Sequence, residues 1–210
     1  MVSDHVVVVP SIWQPYTDAC LATMKFDGPV IVIDNTLVNT GCAASWNTGL
    51  RAMMADPDKQ WCIIVSAAMR FAHGGMDFVQ RLRDDDMEWG ALTRYGWHYA
   101  AVSKPMVELI GYFDENFWPG YMEDTDYMFR MHIAGLNDPQ VFVPRIDALD
   151  DDLASIGHAI QLAGVRPDGE KMEQYWRTKW GRPSNAYDLW DLAADVRPFG
   201  DRPLGYWPVP

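Results

Sequence analysis

Three short apolar runs constrain this chain more than any other feature: Val6-Val7-Val8-Val9, Val30-Ile31-Val32-Ile33 and Trp61-Cys62-Ile63-Ile64-Val65. Each is too short for a buried helix and is dominated by β-branched residues, which pack well on a pleated surface and lose rotamer freedom in a helix. Each also gives way to polar or turn-forming residues, so all three read as buried strands. Between them lie two segments with helical spacing, Tyr16 to Met24 and Gly41 to Ala55, the second entered through Asn39-Thr40-Gly41. Strands and helices in alternation imply a parallel sheet with right-handed crossovers. Ligands on such sheets bind beyond the carboxyl ends of the strands. Here those ends carry Pro10-Ser11, Asp34-Asn35 and Ser66-Ala67-Ala68.

The second half of the chain is organised around the stretch from Asp114 to Arg130. Trp118-Pro119-Gly120 reads as a turn. Glu123, Asp124 and Asp126 then open a segment in which Tyr127, Met128, Met131 and Ala134 recur at helical steps, closed by Gly135. Unpaired N–H groups of a first helical turn hold a carboxylate ionised, while neighbouring acids raise its proton affinity. That competition suits a general base. It is equally the ordinary chemistry of a helix start. Trp89, Tyr95, Trp97, Tyr99, Trp118 and Tyr121 cluster near these acids in the sequence, and flat aromatic faces beside a carboxylate suit a sugar ring. Elsewhere, a helix to about Arg83, a strand over Trp97 to Val102, a short helix opened by Ser103-Lys104-Pro105, a strand at Val141-Phe142-Val143 and a helix from Gly169 to Trp180 are expected. The tail from Arg197 to Pro210 is rich in Pro and aromatics and reads as a surface wrap. One compact domain is expected, with a core over 1–146 and an extension over 147–210 packed on it.

Composition narrows the partners. A net charge of -12 excludes nucleic acid, whose phosphates would be repelled. Cys20, Cys42 and Cys62 form no metal-spaced pair and read as buried thiols. No apolar stretch approaches membrane-spanning length, and Met1-Val2-Ser3-Asp4-His5 lacks a signal peptide's basic region, so a cytoplasmic protein is expected.

Several blocks, in order, resemble the inverting glycosyltransferases of the GT-A fold, of the large family-2 type that includes rhamnosyltransferase-like enzymes. They are Val7-Val8-Val9-Pro10-Ser11, Ile31-Val32-Ile33-Asp34-Asn35, Gly41 through Asn47-Thr48-Gly49, His98 through Ser103 with Gly111 through Phe117 and Glu123-Asp124-Thr125-Asp126, and Tyr175-Trp176-Arg177-Thr178-Lys179-Trp180-Gly181. The resemblance implies an α/β fold with a mostly parallel, Rossmann-like central sheet, helices on both faces and a loopy C-terminal extension. It also implies that a sugar moves from a nucleotide-sugar, UDP-linked on this reading, to an acceptor hydroxyl on a glycan or protein. Asp124 would be the catalytic base, with Glu123 the other reading for that role. Pro10, Ser11, Asp34, Asn47, Gly49, Ser66, Ala68 and Lys179 would line the donor site. Trp97, His98, Trp118 and Asp126 would face the acceptor, and an Asp126–Arg130 pair would steady the helix.

One block departs from the family. Its third strand normally ends in an acidic pair that binds Mn2+ or Mg2+ on the donor diphosphate, whereas this chain has Ser66-Ala67-Ala68. Hard divalent ions need oxygen ligands, and two of these three side chains have none. Asp84-Asp85-Asp86 and Asp150-Asp151-Asp152 read as solvated loops, and His158 stands where some such enzymes place a metal-binding histidine. Otherwise the charge must come from side chains, with Arg70, Arg177, Lys179 and Arg182 as candidates. A catalytically inactive domain that binds nucleotide-sugar or glycan is the alternative reading. A nucleotidyltransferase would need a Gly-rich basic loop after the first strand, which Pro10-Ser11-Ile12-Trp13-Gln14-Pro15 does not supply.

Overall fold

A computed structural model describes residues 3–71, 77–84, 89–91, 97–136, 148–149, 168–184 and 196–208. In chain order they form β1 (His5–Ser11), α1 (Gln14–Thr23), β2 (Val30–Asp34), α2 (Cys42–Ala55), β3 (Trp61–Val65), β4 (Arg70–Phe71) and α3 (Asp77–Asp84). There follow β5 (Trp89–Ala91), β6 (Tyr99–Ser103), α4 (Lys104–Ile110), α5 (Glu123–Ile133), β7 (Ala148–Leu149) and α6 (Gly169–Trp180). The expected strand at Val141–Val143 lies outside the described residues, as do Asp85, Asp86, Asp150-Asp151-Asp152 and His158.

The main sheet has the order β2-β1-β3-β6-β5. β1 pairs in parallel with β2 and β3, while β6 runs antiparallel to both β3 and β5. β6 alone therefore opposes the other four strands, and the mostly parallel sheet expected from the alternation is present. Successive residues of a strand face opposite sides, and each side has its own core. Val6, Val8, Cys62 and Ile64 pack with Leu50 and Met53 of α2, with Met106 and Ile110 of α4, and with Tyr127 and Met131 of α5. Val7, Val9, Ile63 and Val65 pack with Tyr16, Cys20 and Leu21 of α1. No described helix is long and apolar enough to cross a membrane.

β2 corrects one expectation. It is an edge strand, and Val30 and Val32 are 40% and 39% exposed. Its register with β1, Val7↔Val30 and Val9↔Val32, puts those two on the α1 face. There α1 covers the inner strand and leaves the edge open, while Ile31 and Ile33 pack into the opposite core. An apolar run reports burial on one face as readily as on two.

Gly49 is explained by close packing. A Cβ there would lie 2.6 Å from Val8 Cβ and 2.9 Å from Cys62 Sγ, so its bare backbone lets α2 settle onto the sheet. The expected place of Gly49 in a donor pocket is thereby corrected. Gly49→Ala should lower stability by about 1–3 kcal/mol, because strand atoms cannot move aside. Chemical denaturation reads this directly, and an unchanged midpoint would contradict the packing.

α5 is held between two cores. Tyr127 and Met131 face the sheet, while Phe129 faces a cluster made by Phe117, Met172, Trp176 and Trp180. α6 begins at Asp168, whose Oδ1 accepts from the N–H groups of Glu170 (3.1 Å) and Lys171 (3.2 Å). It ends at Gly181 in the left-handed conformation (φ 73°). The Lys-Trp-Gly block thus forms the end of a helix that clamps the acid helix from outside.

Candidate active site

The carboxyl end of β2 builds the site. Asn35 is buried, and its Nδ2 donates to Ser45 Oγ (2.9 Å). Its Oδ1 accepts from the Thr40 N–H and Oγ1 (both 2.9 Å). Ser45 Oγ donates onward to the Gly41 carbonyl (2.7 Å). This network folds the β2–α2 loop back over the start of α2 and leaves Asp34 exposed at its edge. Two hydroxyls and one amide therefore fix where α2 begins.

The turn before α5 docks on that loop. The Cys42 N–H donates to the Pro119 carbonyl (3.0 Å), and Trp118 Nε1 donates to the Asn39 carbonyl (3.0 Å). Gly41 has φ 89°, and a Cβ there would lie 2.9 Å from Trp118 Cδ1. Tyr121 and Met122, both with positive φ, then swing the chain into α5. Glu123 and Asp124 thereby emerge beside Cys42, at the amino end of α2 and the carboxyl side of the parallel strands. Burial and the charges of Glu123 and Asp124 push the Cys42 thiol well above the usual thiol range, so it is not a thiolate nucleophile.

The two carboxyl groups differ. Glu123 is 4% exposed, and its Oε2 accepts from no described residue. Burial, followed by the charge of Asp124, pushes its pKa up to about 8. Asp124 is half-buried, and its Oδ1 accepts from the Thr125 N–H (2.7 Å) and Oγ1 (3.3 Å). Its Oδ2 accepts from no described residue. At neutral pH Glu123 is thus protonated and sets no second negative charge beside Asp124.

This carries a pH signature. Glu123 rises from 4.5 to about 8 on folding. Between those values the folded protein keeps a proton that the unfolded chain has released, so stability falls as pH rises through that window. The loss amounts to up to roughly 5 kcal/mol, at about 1.4 kcal/mol per pH unit. Glu123→Gln should flatten the profile and be more stable than the parent at the alkaline end. Urea midpoints across the window test it, and parallel profiles would refute a buried, protonated Glu123.

Several expected ligands are scaffold instead. Asp126 and Lys179 are fully buried, so neither reaches an acceptor or a donor. Asp126 accepts from Arg130 Nε (3.0 Å) and Trp180 Nε1 (2.9 Å) and pairs with Lys179 Nζ (2.8 Å). Lys179 Nζ also donates to Asp114 Oδ2 (2.8 Å), which accepts from the Tyr175 hydroxyl as well (2.7 Å). Burial alone would raise Asp126; the charges of Lys179 and Arg130 and the hydrogen bonds from Lys179 and Trp180 outweigh it and hold the carboxyl below the usual range. The expected Asp126–Arg130 pair is present, as one edge of a larger neutral cluster.

Asn47 is likewise enclosed. Its Nδ2 donates to the Phe113 carbonyl (2.9 Å) and Glu115 Oε1 (2.8 Å), and its Oδ1 accepts from the Phe113 N–H (2.9 Å). Ser11 Oγ is buried and accepts from Thr17 Oγ1 (2.6 Å). Trp97 is packed edge-on against Phe113 and Tyr127 in the core. Ala68 is buried, and Ser66 Oγ accepts from the Ala68 N–H (3.3 Å). His98 is half-buried, and its carbonyl accepts from the Ser66 N–H (2.6 Å). Pro10 and Asp34 remain reachable at the strand ends, and Trp118 is 45% exposed beside the acids. The sequence assigns no role to Asp114 or Ser45, and it places Asn35 among the strand-end residues without its part in holding the loop. A polar residue kept among apolar ones, as Asp114 is after Gly111-Tyr112-Phe113, was the available signal.

The residues at the end of β3 do not suit a divalent cation. Ser66 offers one hydroxyl already engaged and Ala67 and Ala68 offer none. Among the described residues no three His, Cys, Asp or Glu side chains could share a metal ion.

No family model matches the chain, and no curated protein matches it. Among solved structures, it is similar to a mannosyltransferase from Pyrobaculum calidifontis in complex with GDP-Man and Mn2+. The similarity covers 64% of this chain and 53% of that one, at 15% identity and a TM-score of 0.48. The chain thus matches about half the length of that protein.

Proposed function

We propose that the chain is an inverting glycosyltransferase that moves a sugar from a nucleotide-sugar donor to an acceptor hydroxyl, with Asp124 as general base. The observation that carries this reading is the docking of the α5 entry turn on the β2–α2 loop. It sets a carboxylate with an oxygen that no described residue engages at the ligand-binding end of a parallel sheet. The motif order and the aromatic faces of Trp118 and Tyr121, 45% and 58% exposed, support it further. In the proposed step Asp124 takes the hydroxyl proton as the acceptor oxygen bonds to the anomeric carbon. The bond from that carbon to the diphosphate oxygen breaks on the opposite side, and its electron pair leaves with the nucleoside diphosphate. One displacement inverts the centre. Glu123, neutral and buried, leaves Asp124 as the group able to accept a proton at neutral pH.

A UDP-linked donor is favoured by Asp34. Its Oδ1 already accepts from the Thr36 N–H (2.9 Å) and Oγ1 (2.6 Å), and those bonds hold the carboxyl below its usual range. Oδ2 accepts from no described residue and suits the single imide N–H of uracil better than the two-donor edge of guanine. The donor set at Ser66-Ala67-Ala68 favours a second reading, a domain that binds nucleotide-sugar without turnover. Thermal shifts with UDP, GDP and dTDP, with and without Mn2+, test nucleotide binding. Release of free nucleotide from a panel of donor sugars separates enzyme from binding domain. Absence of both responses rejects the family of readings.

A further inference from the structure

The loop between β2 and α2 turns its polar groups inward. Thr36 Oγ1 donates to Asp34 Oδ1 (2.6 Å), Thr40 Oγ1 donates to Asn35 Oδ1 (2.9 Å), and Asn39 Oδ1 accepts from the Gly41 N–H (2.8 Å). What the loop presents to solvent between them is Leu37 and Val38, 93% and 72% exposed. They are the two most exposed large apolar side chains among the described residues. A single apolar side chain on a surface needs no explanation, but these two do not stand alone. Trp118 Nε1 fastens its ring to the carbonyl of Asn39, the residue after Val38, and Tyr121 is exposed further along the same turn. Gly41 backs onto Trp118, and the charge of Asp124 reaches the thiol of Cys42 beside it. Leu37, Val38, Trp118 and Tyr121 therefore rim the approach to the proposed base.

The chemistry of this rim selects what brings the hydroxyl. A free sugar's hydroxyls lose water on binding and must find partners, yet the loop oxygens named above are spent on the loop itself. Aliphatic tips beside a tryptophan and a tyrosine match a molecule with a polar head and a hydrocarbon tail. Amphipathic rings take the boundary between head and tail, and Leu37 and Val38 cover methylenes. Asp34 and Asp124 flank the rim in a chain of net charge -12, so a negatively charged head is repelled. We infer that the acceptor hydroxyl is carried by an uncharged amphiphile whose alkyl chain lies on Leu37, Val38, Trp118 and Tyr121. The inference rests on the glycosyltransferase reading and names the acceptor class of that site.

Calorimetric titration of the full chain with hexyl, octyl, decyl and dodecyl maltoside, each below its micelle concentration, tests it. The parent should bind about ten- to hundredfold more tightly from hexyl to dodecyl, as apolar surface is covered. Leu37→Ser combined with Val38→Ser should flatten that dependence. Leu109→Ser, which removes an exposed apolar side chain of α4, should keep it. Affinity independent of chain length in a parent that UDP, GDP or dTDP stabilises overturns this inference alone. An equally steep dependence in the Leu37/Val38 variant overturns it as well, since the chain then adsorbs elsewhere. Co-sedimentation with phosphatidylcholine vesicles supplies a further arm. Vesicle binding lost in that variant, with no response to the monomeric maltosides, marks a membrane anchor and overturns the acceptor assignment. A parent that no nucleotide stabilises overturns the glycosyltransferase reading and this inference together.

Discussion

Lys179→Met is expected to cost about 3–5 kcal/mol of folding stability, the usual penalty for stranding a buried charge. The cluster around Lys179 is balanced: Asp114 and Asp126 face Lys179 and Arg130, and all four are fully buried. Removing the lysine leaves two carboxylates against one guanidinium, and Asp114 loses its only cationic partner among the described residues. Adding Asp114→Asn should restore part of the loss, since the Asp126–Arg130 pair then stands neutral and residue 114 can still accept from Tyr175. That non-additivity separates charge from volume. The acid limb gives a second measure. Asp126 is held below its usual range, so its contribution is complete above the unfolded value near 3.8 and is lost as pH falls below it. A lysine-free variant should show a shallower acid transition. Parent-like stability in Lys179→Met would mean that the cluster is held by packing alone.

Asp124→Asn should lower sugar transfer by roughly two to four orders of magnitude, the range for loss of a general base. The amide has nearly the same shape, and Thr125 can still donate to its Oδ1, so the helix start should survive. Donor affinity, read by thermal shift, should stay within about twofold of the parent because the proposed base contacts the acceptor and not the nucleotide. Turnover at the parent rate would falsify the assignment. Loss of donor binding along with transfer would place Asp124 on the donor side instead.

The sheet and its helices were legible because their signals are local. Val6–Val9, Trp61–Val65, the alternation with helices, and Ser103 as a cap all depend on near neighbours, and each stands where the sequence placed it. Ser103 Oγ, for example, accepts from the Met106 N–H (3.4 Å). Of the residues expected at the site, Pro10, Asp34, Trp118 and Asp124 lie at the strand ends without being enclosed. Asn47, Lys179 and Asp126 sit inside recognisable blocks, and a polar side chain in such a block reads as a ligand. Their partners lie far away in the chain: Asn47 bonds Phe113, and Lys179 bonds Asp114. Nothing in local spacing distinguishes a side chain aimed at a substrate from one that joins two helices. The same holds for Gly49, whose missing Cβ could make room for a ligand or a strand. Only coordinates that bring Val8 to it decide.

The clamp of α6 on α5 has a consequence for how the molecule is made. As the polypeptide leaves the ribosome, the acid helix is complete some fifty residues before Lys179 and Trp180 emerge. Until they do, Asp114 and Asp126 lack the Lys179 ammonium and Phe129 lacks the cover of Trp176 and Trp180. The helix that carries the proposed base is therefore locked only once α6 has emerged, and a truncated product ending before α6 would display that unfinished surface to chaperones and proteases.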